Sequence, residues 1–215
     1  NTSFFFHGAW FNGYGGSLFD EDGNVHLATT ENAKSFEFAR KLSQYQPAGL
    51  DGARIKTLFN DGQVAMVING PWFMAELRDG LNYGVHILPI MSETGRRSAP
   101  FVTAEGIFMA NEEGALAKIE SQNANLSPEA RVAFAQKKRA ASLALMKFIA
   151  EQGAYTRVIE GRQMVAFTPA YDQLSNDTRP EAAFMRSVAP TFLKQLDNTV
   201  PQSNRPEMGS LWATL

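Results

Sequence analysis

The apolar run Val64-Ala65-Met66-Val67-Ile68, followed at once by Asn69-Gly70-Pro71-Trp72, constrains this chain more than any other stretch. Five apolar residues without alternation are expected of a strand buried on both faces, as in the sheets of α/β proteins. Asn69 suits a helix cap and Pro71 suits a first helical turn, so residues 71–78 are expected to wind. Tyr83 to Leu88 reads as the next strand, closed by Pro89. Strand, helix and strand in this order make a βαβ-like unit. Its strand-to-helix turn falls at the carboxyl end of a strand, where open α/β sheets bind ligands. The expected fold class is therefore α/β, a sheet flanked by helices.

Local signals organise the rest. Asp20-Glu21-Asp22-Gly23 is a turn before a short strand at Val25–Leu27. Residues 31–45 read as a helix capped by Thr30, with Ala33, Phe36, Leu42 and Tyr45 on its apolar side and Pro47 beyond its end. Residues 53–60 make a shorter helix ending at Asn60-Asp61-Gly62, and residues 101–110 are expected to be extended. Glu112 to Lys138 is charged, alanine-rich and helical in character, broken at Asn123–Ser127. Leu143, Met146, Phe148 and Ile149 mark a helix that Gly153 is expected to end, with another running to Ile159. A helix at Glu181–Leu196 contains Pro190, which lacks a backbone donor and is expected to interrupt or bend it. Pro201–Pro206 is a polar loop, and residues 207–215 begin a last helix carrying Trp212.

Composition excludes several classes of function. The 215 residues are 44% hydrophobic and 20% charged with a formal net charge of −2, as in an ordinary globular protein able to bury a core. Basic residues form no stripe, so a nucleic-acid footprint is missing. No apolar run approaches the roughly 18 residues of a membrane-spanning helix. Cysteine is absent, which removes disulfides and thiolate chemistry and fits an exported protein. His7, His26 and His86 lack metal-ligand spacing, so neither metal nor cofactor is expected. Gly13, Gly15 and Gly16 are not followed by the Lys-Ser/Thr of a phosphate loop, and no Gly-x-Ser-x-Gly elbow occurs. Glu76 and Asp79, three apart, share a helical face but read as surface acids rather than a catalytic pair.

The string from Phe59-Asn60-Asp61-Gly62 through Val64–Ile68 to Asn69-Gly70-Pro71-Trp72 resembles the family-1 solute-binding proteins of ABC importers, most of all their maltose- and maltodextrin-binding branch. Asn82-Tyr83-Gly84-Val85 and Leu88-Pro89 continue the resemblance. Pro100-Phe101-Val102 with Gly106-Ile107 resembles the crossover between lobes, and Pro206-Glu207-Met208 to Leu211-Trp212 resembles the helix bearing a second sugar-stacking tryptophan. The resemblance implies the type II periplasmic-binding-protein fold, two α/β lobes closing on ligand in a cleft. Residues 1–100 would form a carboxyl-lobe segment, 101–178 the crossover and an amino-lobe-like helical segment with an insertion at 112–137, and 179–215 the return to the carboxyl lobe. The abrupt start before Phe4-Phe5-Phe6 and the end inside a helix lead us to expect a fragment lacking about the first 150 residues of the family fold.

The resemblance also implies a function: binding of a maltodextrin-like oligosaccharide for uptake outside the cytoplasm, with the sugar and the importer's membrane subunits as partners and no reaction. A missing amino lobe or a second copy is a further expected partner. Sugars have flat apolar faces ringed by hydroxyls, which aromatic rings and polar groups satisfy. From position alone Trp72 is either a core residue or a ring facing a cleft, and the resemblance favours stacking; the same holds for Trp212. Phe5 stands where the branch has a tyrosine, and Ser3 where it has an acid. Trp10 reads as core. Asn204, Arg205 and Glu207 are candidates for hydrogen bonds to the sugar, or else a solvated loop. The alternative is an interaction domain, fused to or docking on a transporter subunit, with the 112–137 segment as its contact.

Overall fold

The computed structural model describes residues 4–109, 114, 117–118, 121–122 and 125–214, with the side chains of 213 and 214 excepted. The Ser3 position and much of the 112–137 segment thus lie outside the described residues. The chain divides into two compact units, one of residues 1–103 and 183–215, the other of residues 104–182.

The first unit is built on helix α1, Phe4–Gly13, which is buried on two sides. Phe4 and Phe11 join Leu18, Phe101, Met208 and Leu211 in one apolar cluster. Ala9, Trp10 and Tyr14 join Met91 in another, backed by Phe38, Leu42 and Leu88. Trp10 is thus a core residue, as its sequence context suggests. Gly8 is where α1 approaches closest, since a Cβ there would overlap the Phe101 ring.

Helix α2, Thr30–Ser43, packs beside α1. Its cap is Thr29 rather than Thr30, because Thr29 is the extended residue whose side chain accepts from the Asn32 amide. The face turned inward follows expectation at Leu42, which packs on the second cluster, and departs from it elsewhere. Asn32 and Ser35 are the residues buried in α2, while Phe36 is 43% and Tyr45 86% exposed. The Asn32 side chain explains this. It donates to the carbonyls of Ser17 at 3.0 Å and Leu27 at 2.9 Å and accepts from the Ser17 amide at 3.1 Å, tying the helix to the preceding loop.

Helix α3, Gly52–Asn60, starts at Asp51, whose carboxylate accepts from the Arg54 amide at 2.7 Å. The two expected strands behave differently from the reading of their composition. Val64–Ile68 and Tyr83–Leu88 run without a ladder, and Met66 is 86% exposed where burial on both faces was expected. An apolar run becomes a buried strand only when neighbouring strands flank it. Among the described residues the ladder present is two-stranded and parallel, β1 Phe101–Val102 with β2 Val200–Pro201. The expected Val25–Leu27 strand is reduced to a single bridge between Phe19 and Val25.

The second unit is helical. α4, Pro128–Lys147, is capped by Ser127, with Pro128 at its first position and Glu129 in its first turn. It passes through a π turn, Phe148–Gln152, directly into α5, Gly153–Ile159. Gly153 therefore does not end the helix: its φ of −72° and ψ of −18° are helical. The chain breaks only at Gly161 and Arg162, the latter with φ +50°. α6, Pro169–Asn176, follows. Helix α7, Pro180–Leu196, starts in this unit and continues in the first, keeping Pro190 within it. The last helix, α8, Met208–Thr214, returns Met208 and Leu211 to the first core.

Candidate functional site

Trp72 is held by a short 3-10 helix, Pro71–Glu76, that turns Phe73 and Met74 inward and leaves the indole 42% exposed. Local chemistry shapes this turn. Asn69 Oδ1 accepts from the Gly70 amide at 2.9 Å, and Pro71 takes the first position, where an amide is not needed. Gly70 lies beneath the indole, where any Cβ would overlap the ring. Asn60, the last residue of α3, clamps the far end: it donates to the Glu76 carbonyl at 3.2 Å and accepts from the Arg78 amide at 2.7 Å. The Phe-Asn-Asp-Gly and Asn-Gly-Pro-Trp segments are thus two halves of one support for Trp72.

The opposite wall comes from α1. Successive residues of a helix point about 100° apart, so the run Phe4-Phe5-Phe6 cannot be buried as a block. Phe4 faces the core against Phe11 at 5.2 Å and Phe101 at 5.7 Å. Phe5 is half-buried and faces Trp72, ring centroids 6.2 Å apart and planes 45° apart. Phe6 stands edge-on to Phe5 at 5.6 Å. The role of Phe6 beside Phe5 was not foreseen from sequence, though three consecutive aromatics on a helix signal it.

Trp212, on α8, is partly buried. Its ring lies 5.7 Å from Phe4 and 6.3 Å from Phe101, so it closes the edge of the first core. Neighbouring residues of α1 therefore touch the two tryptophans, Phe5 touching Trp72 and Phe4 touching Trp212. Asn204, Arg205 and Glu207 are all exposed in the loop before α8. Arg205 lies over the Phe19 ring at 5.2 Å and donates to the Gly23 carbonyl at 2.7 Å. The Glu207 carbonyl accepts from the amides of Ser210 and Leu211, both at 3.1 Å.

The structure brings Phe5 and Trp72 together as a partly open aromatic corner. It attaches Trp212 through its edge contacts with Phe4. It sets the three polar candidates on one exposed loop of the same unit. Glu76 lies 3.8 Å from Lys56 in an exposed ion pair. Among the described residues no cluster of three or more His, Asp or Glu is arranged to hold a metal ion, and no helix is long and apolar enough to cross a membrane.

Two further hollows occur. One of about 270 Å³ in the first unit is lined by Val85, His86, Ile87, Pro190, Thr191 and Lys194. In the second unit a hollow of about 500 Å³ includes Tyr155 and Asp177. Asp177 is held well below the usual carboxylate range, chiefly by hydrogen bonds from Arg179 and then from the Tyr155 hydroxyl. Its hydrogen-bonding capacity is thus engaged by Arg179, in the turn between α6 and α7, and by Tyr155 on α5.

Residues 1–107 match the family model described as bacterial extracellular solute-binding protein. A maltodextrin-binding protein of Bacillus subtilis is 28% identical over 116 residues, covering 49% of this chain and 28% of that protein. A maltooligosaccharide ABC transporter solute-binding lipoprotein of Streptococcus pneumoniae is 27% identical over 110 residues, covering 46% of this chain and 26% of its own length. The fold matches that of the maltose/maltodextrin-binding domain of Bdellovibrio bacteriovorus, bound to maltotriose. There the TM-score is 0.70 and the identity 21%, over 99% of this chain and 50% of that one. The maltose-maltodextrin binding protein of Alicyclobacillus acidocaldarius gives a TM-score of 0.67 at 20% identity, over 98% of this chain and 52% of its own. The chain spans little more than a quarter of the curated relatives and about half of the solved structures. Residues 1–107 are thus similar to the bacterial extracellular solute-binding proteins, and nearly the whole chain shares the fold of the maltose/maltodextrin-binding proteins.

Proposed function

We propose that this chain is the sugar-facing part of an extracytoplasmic solute-binding protein that delivers a maltodextrin-like oligosaccharide to an ABC importer. The observation that carries the proposal is the aromatic corner: Trp72, 42% exposed on a braced turn, with Phe5 6.2 Å away. An exposed indole stabilised from beneath by Gly70 is costly to leave bare in water and suits the apolar face of a sugar ring. In this reading one sugar ring lies against the outer face of the corner that Trp72 and Phe5 form, and Trp212 presents its free edge to the next. Asn204, Arg205 and Glu207 supply hydrogen bonds to hydroxyls from the adjoining loop. Phe5 offers a ring face without a hydroxyl donor, so the sugar gains stacking there and no hydrogen bond.

The first unit then corresponds to carboxyl-lobe segments and the second to the crossover and amino-lobe-like helices. Closure around the sugar is the signal read by the importer's membrane subunits, a hinge motion. Binding and release are the whole activity, and no bond is made or broken. The names of the relatives, all binders of maltodextrins or maltooligosaccharides, support this choice of ligand class.

The test is calorimetric titration of the chain with maltotriose beside Trp72→Ala. Binding that the substitution weakens at least tenfold supports the proposal. Equal binding by both proteins, or turnover of the sugar, overturns it.

A further inference from the structure

Asparagine followed directly by glycine occurs at Asn12-Gly13 and at Asn69-Gly70, and the structure treats the two pairs differently. In such a pair the next backbone nitrogen can reach the side-chain carbonyl, because glycine has no Cβ to obstruct the approach. Asn12-Gly13 closes α1. The Asn12 amide donates to the Ala99 carbonyl at 2.7 Å, Gly13 is buried, and its carbonyl accepts from Thr94 Oγ1 at 2.9 Å. Ring closure there would break helix and tertiary contacts together.

Asn69 and Gly70 lie outside helix and ladder, and both are partly exposed. The Gly70 N–H donates to Asn69 Oδ1 at 2.9 Å, so its partner is the carbonyl that its nitrogen can attack. Rotation about the Asn69 side-chain bonds brings Cγ to the place of Oδ1. The nearby Asn60 is followed by Asp61, and its amide is engaged at both ends, by the Lys56 and Glu76 carbonyls and by the Arg78 amide.

We propose that Asn69 is a self-modification site, which converts to aspartate and isoaspartate through a cyclic imide with Gly70 and so dismantles the support of Trp72. The Gly70 nitrogen forms a bond to Asn69 Cγ and gives up its proton. The Cγ–Nδ2 bond breaks, and Nδ2 leaves with that proton as ammonia. Water then opens the imide at either carbonyl, and nothing is oxidised or reduced. Opening at the backbone carbonyl runs the main chain through Cβ, inserting a methylene just before Gly70 and Pro71. The Gly70 N–H then loses its acceptor, and the indole that lies over Gly70 loses its seat. The inference rests on the turn and not on the sugar assigned above.

The experiment ages the 215-residue chain at mildly alkaline pH, folded and in urea, and maps the products by mass. Trypsin releases residues 57–78 in one piece, and fragmentation places the mass gained when an amide becomes an acid. Isomerisation at Asp61-Gly62 adds no mass and is not confused with it. Folded Asn69 should convert within threefold of its rate in urea, while folded Asn12 converts at least tenfold more slowly than in urea. Protection of Asn69 equal to that of Asn12 overturns the proposal. The modified protein, separated on its added negative charge, should exchange the amides of residues 72–78 at least tenfold faster, and unchanged exchange overturns the loss of support. Asn69→Ser, which has no side-chain carbonyl to attack, should abolish the mass gain in residues 57–78. A gain that persists in this variant assigns the chemistry to Asn60 and also overturns the proposal.

Discussion

The Arg205 guanidinium donates to the carbonyl of Gly23, 182 positions away, at 2.7 Å. It occupies the space where a side chain on Gly23 would begin, and Gly23 itself has φ +85°. The loop before α8 is thereby pinned to the Asp20–Gly23 turn. Gly23→Ala is expected to destabilise the chain by about 2 kcal/mol, combining left-handed backbone strain with displacement of the guanidinium. In an Arg205→Ala background the same substitution should cost less, because only the backbone part remains. Urea denaturation of the four proteins gives the coupling, and additive effects would contradict it.

Asn32 is 2% exposed and serves three backbone groups of the loop before α2. Asn32→Ala removes these bonds, leaving Leu27 its bond from the Thr29 amide and the Ser17 groups to water, and a loss of about 2 kcal/mol is expected. Asn32→Leu should do no better, since the requirement is for hydrogen bonds and not for volume. The unfolding midpoint in urea measures both.

The two candidate stacking tryptophans should separate under mutation. Trp72→Ala removes an exposed ring and should change stability by less than about 1 kcal/mol. Trp212→Ala removes a ring packed on Phe4 and Phe101, at a cost of about 3 kcal/mol. Any loss of sugar affinity in Trp212→Ala must therefore be judged beside its melting temperature, and Trp212→Phe offers the better-packed comparison. A Trp72→Ala protein as unstable as Trp212→Ala would refute the placement of the two rings.

His7 stacks on Phe36 with ring centroids 4.4 Å apart. Ser35 Oγ donates to the Asn32 carbonyl at 2.7 Å, so the neutral His7 ring donates from Nε2 to Ser35 Oγ at 3.0 Å. Burial lowers the His7 pKa from 6.5 to about 4. Above pH 6.5 both folded and unfolded chains hold His7 neutral, and it has no pH effect. As pH falls from 6.5 to about 4 the unfolded chain takes up the proton first, so stability should drop across that window and level off below it. His7→Gln keeps a donor to Ser35 without the titration. It should flatten the decline seen in urea midpoints at pH 7, 5.5 and 4.5, and an equally steep fall in the variant would exclude His7 as its source.

The sequence by itself determined most of the helices, because their signals lie within a few residues of where they act. Pro71 at a first turn, the turn ending at Gly23 and the end of α3 before Gly62, both glycines at positive φ, could each be placed without knowing the rest of the chain. It also made Trp72 conspicuous, since Asn69, Gly70 and Pro71 shape its turn locally. Everything depending on distant partners was left to tertiary structure. The run Val64–Ile68 carries strand composition, yet pairing belongs to neighbours, and no ladder forms there. Which side of α2 turns inward followed from the hydrogen bonds of Asn32 rather than from Phe36 or Tyr45. The sequence named Phe5, Trp72 and Trp212 separately, and only packing around α1 decided that Phe5 meets one tryptophan while Phe4 meets the other. Caps and turns are contacts within a few residues, whereas burial and pairing are contacts across the chain, which its linear order does not encode at any single position.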